Sequence, residues 1–142
     1  MENQRGQGAR LVDDDDDDRA VRRVIETYGE RLKSSDLEGV LDLFAPDGVL
    51  LEPDRPDVIG TAQLRTAYDN ALSTRRPDRS FHFDQVLIEG SLASVRTHST
   101  GTITDRTTGE VVSAEAREIF VLTLLGGEWK IAQYMIQRMP AK

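Results

Sequence analysis

From Phe81 to Arg138 the chain runs through four stretches rich in β-branched and aromatic residues, near 81–89, 92–104, 110–125 and 128–138. Only short turns divide them, at Glu89 to Ser91, Asp105 to Gly109 and Gly126-Gly127. A parallel neighbour would need a crossover of a dozen or more residues, so strands joined this tightly must pair antiparallel. The second half of the chain is therefore a four-stranded meander, and whatever precedes it must cover one face of that sheet.

What precedes it has a helical period. Between Arg19 and Lys33 the apolar residues Val21, Val24, Ile25, Tyr28 and Leu32 recur every three or four positions, which predicts an amphipathic helix. Ser35 and Glu38 form a capping pattern ahead of a second, shorter stripe of Leu37, Val40, Leu41 and Phe44. Pro46 and Asp47-Gly48 predict its end, Val49 to Glu52 a brief strand, and Gly60 with Thr61 as cap the start of a third helix that carries Leu64, Tyr68, Ala71 and Leu72 inward. The expected fold class is α+β, an antiparallel sheet with three N-terminal helices on one face. The chain's 142 residues suit one such domain, over 19–142, and leave no room for a second.

Residues 1 to 18 are polar and end in six aspartates, Asp13 to Asp18, a composition that predicts a disordered acidic tail. The run lacks the glycine turn and distal glutamate of a calcium loop, so no metal is expected there. Formal charge is −7 from 18 basic and 25 acidic residues, and removing those six leaves −1. With no basic stripe, neither nucleic acid nor an anionic membrane surface is an expected partner. Cysteine is absent, which excludes disulfides, thiolate metal sites and cysteine nucleophiles. No signal-like or membrane-spanning apolar run is seen, and a soluble, cytoplasmic protein is the expectation.

Two stretches resemble the nuclear transport factor 2-like superfamily, including its SnoaL-like and ketosteroid isomerase-like members. One is Ser35-Asp36-Leu37-Glu38-Gly39 through Leu43-Phe44-Ala45-Pro46-Asp47-Gly48-Val49, and the other is Phe120-Val121-Leu122 through Gly127-Glu128-Trp129-Lys130-Ile131-Ala132. The resemblance covers about residues 19 to 138. It implies a curved, cone-shaped antiparallel sheet with the three N-terminal helices on its concave face around a hydrophobic pocket, but no single reaction, because the superfamily spans isomerases, cyclases, epoxide hydrolases, dehydratases and proteins that only bind.

Tyr28 lies eight residues before Asp36 and Glu52 sixteen after it, spacings that resemble ketosteroid isomerase. The resemblance implies that Tyr28 donates a hydrogen bond to a developing enolate oxygen and that Glu52, followed by Pro53, moves the proton. It also implies a third acid, at or within one residue of Glu118, where a slip of one residue would bring in Arg117 instead. Each has a plainer reading beside it: Tyr28 as a core tyrosine with its hydroxyl satisfied, Glu52 as a solvated strand end. Tyr68, Phe83, Phe120 and Tyr134 are the expected pocket-lining residues. No cofactor is expected, since no nicotinamide, flavin, phosphate-loop or zinc motif is present; an oxidoreductase accessory role, carried by some relatives, therefore has no fingerprint here.

His82 and His98 fall on different strands, where a metal site with Asp84 or Glu118 is conceivable, although no metal is expected. Arg96, His98, Glu115 and Arg117 place charge on central strands. A face of that kind, together with the superfamily's habit, implies a homodimer through the sheet. Two functions follow. The first is a cofactor-independent isomerase or cyclase acting by proton transfer on a small apolar carbonyl compound, and the second is a non-catalytic ligand-binding or dimeric assembly module.

Overall fold

The computed structural model describes residues 10 to 140. The order is α1 (Arg10–Lys33), α2 (Leu37–Asp42), β1 (Phe44–Leu51), β2 (Val58–Ile59), α3 (Gly60–Thr74), β3 (Arg75–Glu89), β4 (Leu92–Asp105), β5 (Val111–Leu125) and β6 (Glu128–Arg138). The six strands form one curved, unclosed sheet in the order β2-β1-β6-β5-β4-β3. Strands β3 to β6 are the expected antiparallel meander. One pairing departs from an all-antiparallel sheet, because β1 lies parallel to β6. The path from β1 to β6 passes through α3 and the whole meander, which is long enough for a parallel return.

The helices lie on the concave face. Val21, Ile25, Tyr28 and Leu32 of α1, Leu64, Tyr68 and Leu72 of α3, and Val40 and Leu41 of α2 are buried against Val95, Phe120, Leu122, Ile131 and Tyr134 of the sheet. Alternation along β5 is strict from Ala116 to Leu122, with Ala116, Glu118, Phe120 and Leu122 inward and Arg117 and Ile119 outward. Curvature comes from irregularities in the ladder, at Phe83/Gln85 on β3, at Val121/Leu122 opposite β6 and between Phe44 and Val49 on β1. Each inserts unpaired residues on one strand and bends it.

Several boundaries differ from expectation. The stretch Pro46-Asp47-Gly48, which reads as a turn, is instead the irregular part of β1. Strand β3 begins six residues before Phe81 and includes Pro77; β3 is a sheet edge, where a missing N–H costs nothing. Asp36, not Ser35, caps α2, its carboxylate accepting from the Gly39 amide, while Ser35 takes φ 57° and bonds Arg106. Helix α3 has no side-chain cap: the Thr61 hydroxyl donates to the Pro46 carbonyl, and Gln63 accepts from the Ile59 amide.

The expectation of a disordered tail to residue 18 is corrected in part, because α1 runs from Arg10 and carries Asp13 to Asp18 in its first turns. Asp16 pairs with Arg19, Asp18 accepts from Arg22 Nε at 2.6 Å, and Asp17 accepts from the Trp129 indole at 3.2 Å. Residues 1 to 9 lie outside the described residues. Among the described residues no helix is long and apolar enough to cross a membrane.

Candidate functional site

The chain has three tyrosines, and the fold gathers all of them. Tyr28 follows Ile25 on the buried stripe of α1; Tyr68 sits one helical turn from both Leu64 and Leu72 on α3; Tyr134 shares the inward parity of Ile136 on β6. The Tyr28 and Tyr68 hydroxyls lie 2.7 Å apart, and the Tyr28 and Tyr134 rings meet edge to face at 5.3 Å. Phe120 stacks flat on Tyr134 at 4.2 Å and fixes its ring from behind.

These phenols form one end of a cavity of about 80 Å³, which Leu32, Leu50 and Leu72 complete with apolar surface. That is room for several waters or for the reactive end of a small ligand. Glu52, one residue past β1, stands on the same wall with its side chain 21% exposed, and its carboxylate lies 3.8 Å from Arg138. Burial is the main cause that raises the pKa of Tyr28, Tyr68 and Tyr134 above the usual phenol range. All three therefore remain protonated at neutral pH, and of the Tyr28 and Tyr68 hydroxyls one donates to the other and leaves the second proton free. Among the described residues Glu52 is the one carboxylate on the cavity wall.

Arg79 is the residue that sequence reasoning missed. It enters from β3 with its side chain only 11% exposed, donates to Tyr134 Oη at 3.1 Å and to Glu118 Oε2 at 3.0 Å, and covers the Phe81 ring. Burial works against its charge, but the Glu118 carboxylate and the hydrogen bond to Tyr134 favour the protonated guanidinium. By accepting from Arg79, Tyr134 keeps its own proton free to donate elsewhere. The signal was available as parity, since Arg79, Phe81 and Phe83 alternate on one face, but it required β3 to start before Phe81.

The expected site residues thus separate. Tyr28, Glu52, Tyr68 and Tyr134 share the cavity. Glu118 points inward, as the uncertain register required deciding, yet it does not reach the cavity wall. Its oxygens accept from Thr97 Oγ1 at 2.6 Å, Ser99 Oγ at 2.6 Å and Arg79, and with three donors it serves as the anchor of Arg79. Phe120 supports Tyr134 without lining the cavity, and Phe83 lies away from it under the Arg22 guanidinium.

On the convex face Arg96, His98, Glu115 and Arg117 are all exposed. The His82 and His98 rings stack at 4.8 Å, His98 Nδ1 sits 3.0 Å from Asp84, and Arg117 donates to Gln137. Among the described residues no three histidine, aspartate or glutamate side chains are grouped to hold a metal ion. Ile119 and Met135 face each other across β5 and β6 on this side, 46% and 50% exposed.

The sequence profile of the SnoaL-like domain matches residues 21–133, which is most of the chain and every element described above except the ends of α1 and β6. The chain belongs to the SnoaL-like domain family. Within the wider nuclear transport factor 2-like superfamily, this SnoaL-like chain is similar to a ketosteroid isomerase-like protein from Erwinia carotovora atroseptica SCRI1043. The two are 27% identical with a TM-score of 0.80, over 86% of this chain and 95% of that one. It also superposes on an NTF2-like protein with a cystatin-like fold from Novosphingobium aromaticivorans, at 19% identity and a TM-score of 0.73, over 100% of this chain and 94% of that one; this likeness concerns the fold alone. No curated protein matches the chain.

Proposed function

We propose that this SnoaL-like protein is a cofactor-independent isomerase or cyclase that moves a proton on a small carbonyl compound. The observation that carries the reading is one cavity holding a single carboxylate, Glu52, with the hydroxyls of Tyr28, Tyr68 and Tyr134. Abstraction of a proton beside a carbonyl needs a base within reach of that carbon and preorganised donors where negative charge develops. Glu52 supplies the base. The buried phenols supply the donors, and Arg79, fastened by Glu118, orients Tyr134 among them. Leu32, Leu50 and Leu72 take the apolar part of the substrate and keep water from the enolate. Glu118 acts here as a positioning residue.

The test is solvent-deuterium incorporation, followed by NMR, into the α-carbons of a panel of enolisable aryl ketones. Wild-type protein is expected to accelerate exchange of at least one member, and Glu52→Gln to slow it by roughly a hundredfold or more. Exchange by Glu52→Gln within a few fold of wild type would end this mechanism.

A second reading has its own support. Ile119, Met135 and Met139 are exposed beside Arg96, His98 and Arg117 on the convex face, a mixed apolar and charged surface suited to a second copy of the chain. In that reading the protein is a homodimer that retains a small ligand without turning it over.

A further inference from the structure

The cavity wall carries cations as well as phenols. Beyond the phenols, Arg75, Arg79 and Arg138 line both the cavity and a wider groove of about 750 Å³ that continues outward from it, so the three cations stand at the junction. They get there by parity. Arg75, Pro77 and Arg79 occupy alternate positions of β3, and Arg138 follows Tyr134 and Ile136 on β6. Arg79 is answered by Glu118 at 3.0 Å and Arg138 by Glu52 at 3.8 Å. Among the described residues Arg75 makes no ion pair. Its backbone is nevertheless fixed, because it closes α3 and opens β3 in an extended conformation, its amide donating to the Ala71 carbonyl.

Resting on the reading of the cavity as a ligand site, we infer that the ligand is a monoanion: an apolar body inserted toward the tyrosines, with a carboxylate at the mouth held by Arg75. An arginine fork matches a carboxylate in shape, and a pair formed at the rim of an apolar cleft is screened less than one on an open surface. The groove limits the charge to one. Asp105, directly opposite Arg75 across β3 and β4, lines the groove with Glu110 and Glu115, and although Asp105 Oδ1 accepts from the amides of Thr107 and Thr108 at 2.8 and 3.1 Å, a second negative group in the groove would meet all three carboxylates.

The test uses two isosteric probes, 3-phenylpropionate and 3-phenylpropionamide, titrated calorimetrically into the full chain and into Arg75→Gln. Arg75 is exposed, so the variant is expected to fold. The acid is expected to bind wild type about tenfold more tightly than the amide, and Arg75→Gln to remove that preference while leaving the affinity for the amide unchanged. Equal binding of acid and amide by wild type overturns the inference and leaves the cavity reading standing. A preference that survives Arg75→Gln overturns the assignment to Arg75. Failure of both probes to bind overturns the inference together with the cavity reading on which it rests.

Discussion

Removing the Glu118 carboxylate should show how much of the fold depends on the network beneath the cavity. In Glu118→Leu the Arg79 guanidinium, 11% exposed, loses its counter-charge, and the hydroxyls of Thr97 and Ser99, at 0% and 2%, lose their acceptor. At 3.0 Å the ion pair alone is worth roughly 5 kcal/mol at an effective dielectric constant near 20, before desolvation is counted. Breaking such a buried pair from one side typically costs about 3–5 kcal/mol. With a urea slope of about 2 kcal/mol per molar, the unfolding midpoint should fall by roughly 1.5–2.5 M. Arg79→Met should be milder, because Thr97 and Ser99 still hold the carboxylate. The double variant should lose clearly less than the sum of the two, since neither charge is then left alone. A single-variant loss under about 1 kcal/mol, or strict additivity in the double, would refute the network as described.

Three further outcomes follow from particular contacts. Because burial raises all three tyrosines, the folded chain should show no phenolate absorbance at pH values where a free tyrosine, near pH 10, is half ionised. Their contribution to stability is complete below the unfolded value and declines as pH rises above it, by up to about 1.4 kcal/mol per pH unit for each tyrosine; phenolate formation before unfolding would contradict this. Gly101, at φ 157°, passes so close to β3 that an added Cβ would collide with the Asp78 carbonyl. Gly101→Ala should therefore cost about 1–3 kcal/mol in urea melts, and an effect near zero would place the two strands further apart than described. Sedimentation should find a wild-type dimer that Ile119→Glu converts to a folded monomer whose urea midpoint, unlike that of wild type, does not depend on protein concentration, and a wild-type monomer would remove the dimeric reading.

The meander and the inner stripes of α1 and α3 were legible because burial imposes a period, and Val21 to Leu32 displays it clearly. Local signals misled where tertiary partners outvoted them. Pro46-Asp47-Gly48 has turn chemistry but is held beside β6, and the aspartate run looks too charged to order, yet Asp16, Asp18 and Asp17 find Arg19, Arg22 and Trp129. In the site, Tyr28 and Glu52 could be named from spacing, but the role of Glu118 could not. Whether a buried acid is a proton donor or the anchor of a cation depends on what faces it, and the facing group, Arg79, is 39 residues away in sequence. Register across Gly126-Gly127 also depended on the irregularity between Val121 and Leu122, which sequence alternation does not reveal.

The most direct test of the central claim is where a ligand settles. With only three tyrosines in the chain, all at the cavity, a sample carrying a ¹³C label at tyrosine Cζ reports on the site with three resonances. Titration with 4-oxo-4-phenylbutanoate, which carries both a ketone and a carboxylate, should shift the Tyr28, Tyr68 and Tyr134 signals together and saturably. Three unmoved tyrosine signals, with perturbation confined to amides around Ile119 and Met135 on the convex face, would contradict the account.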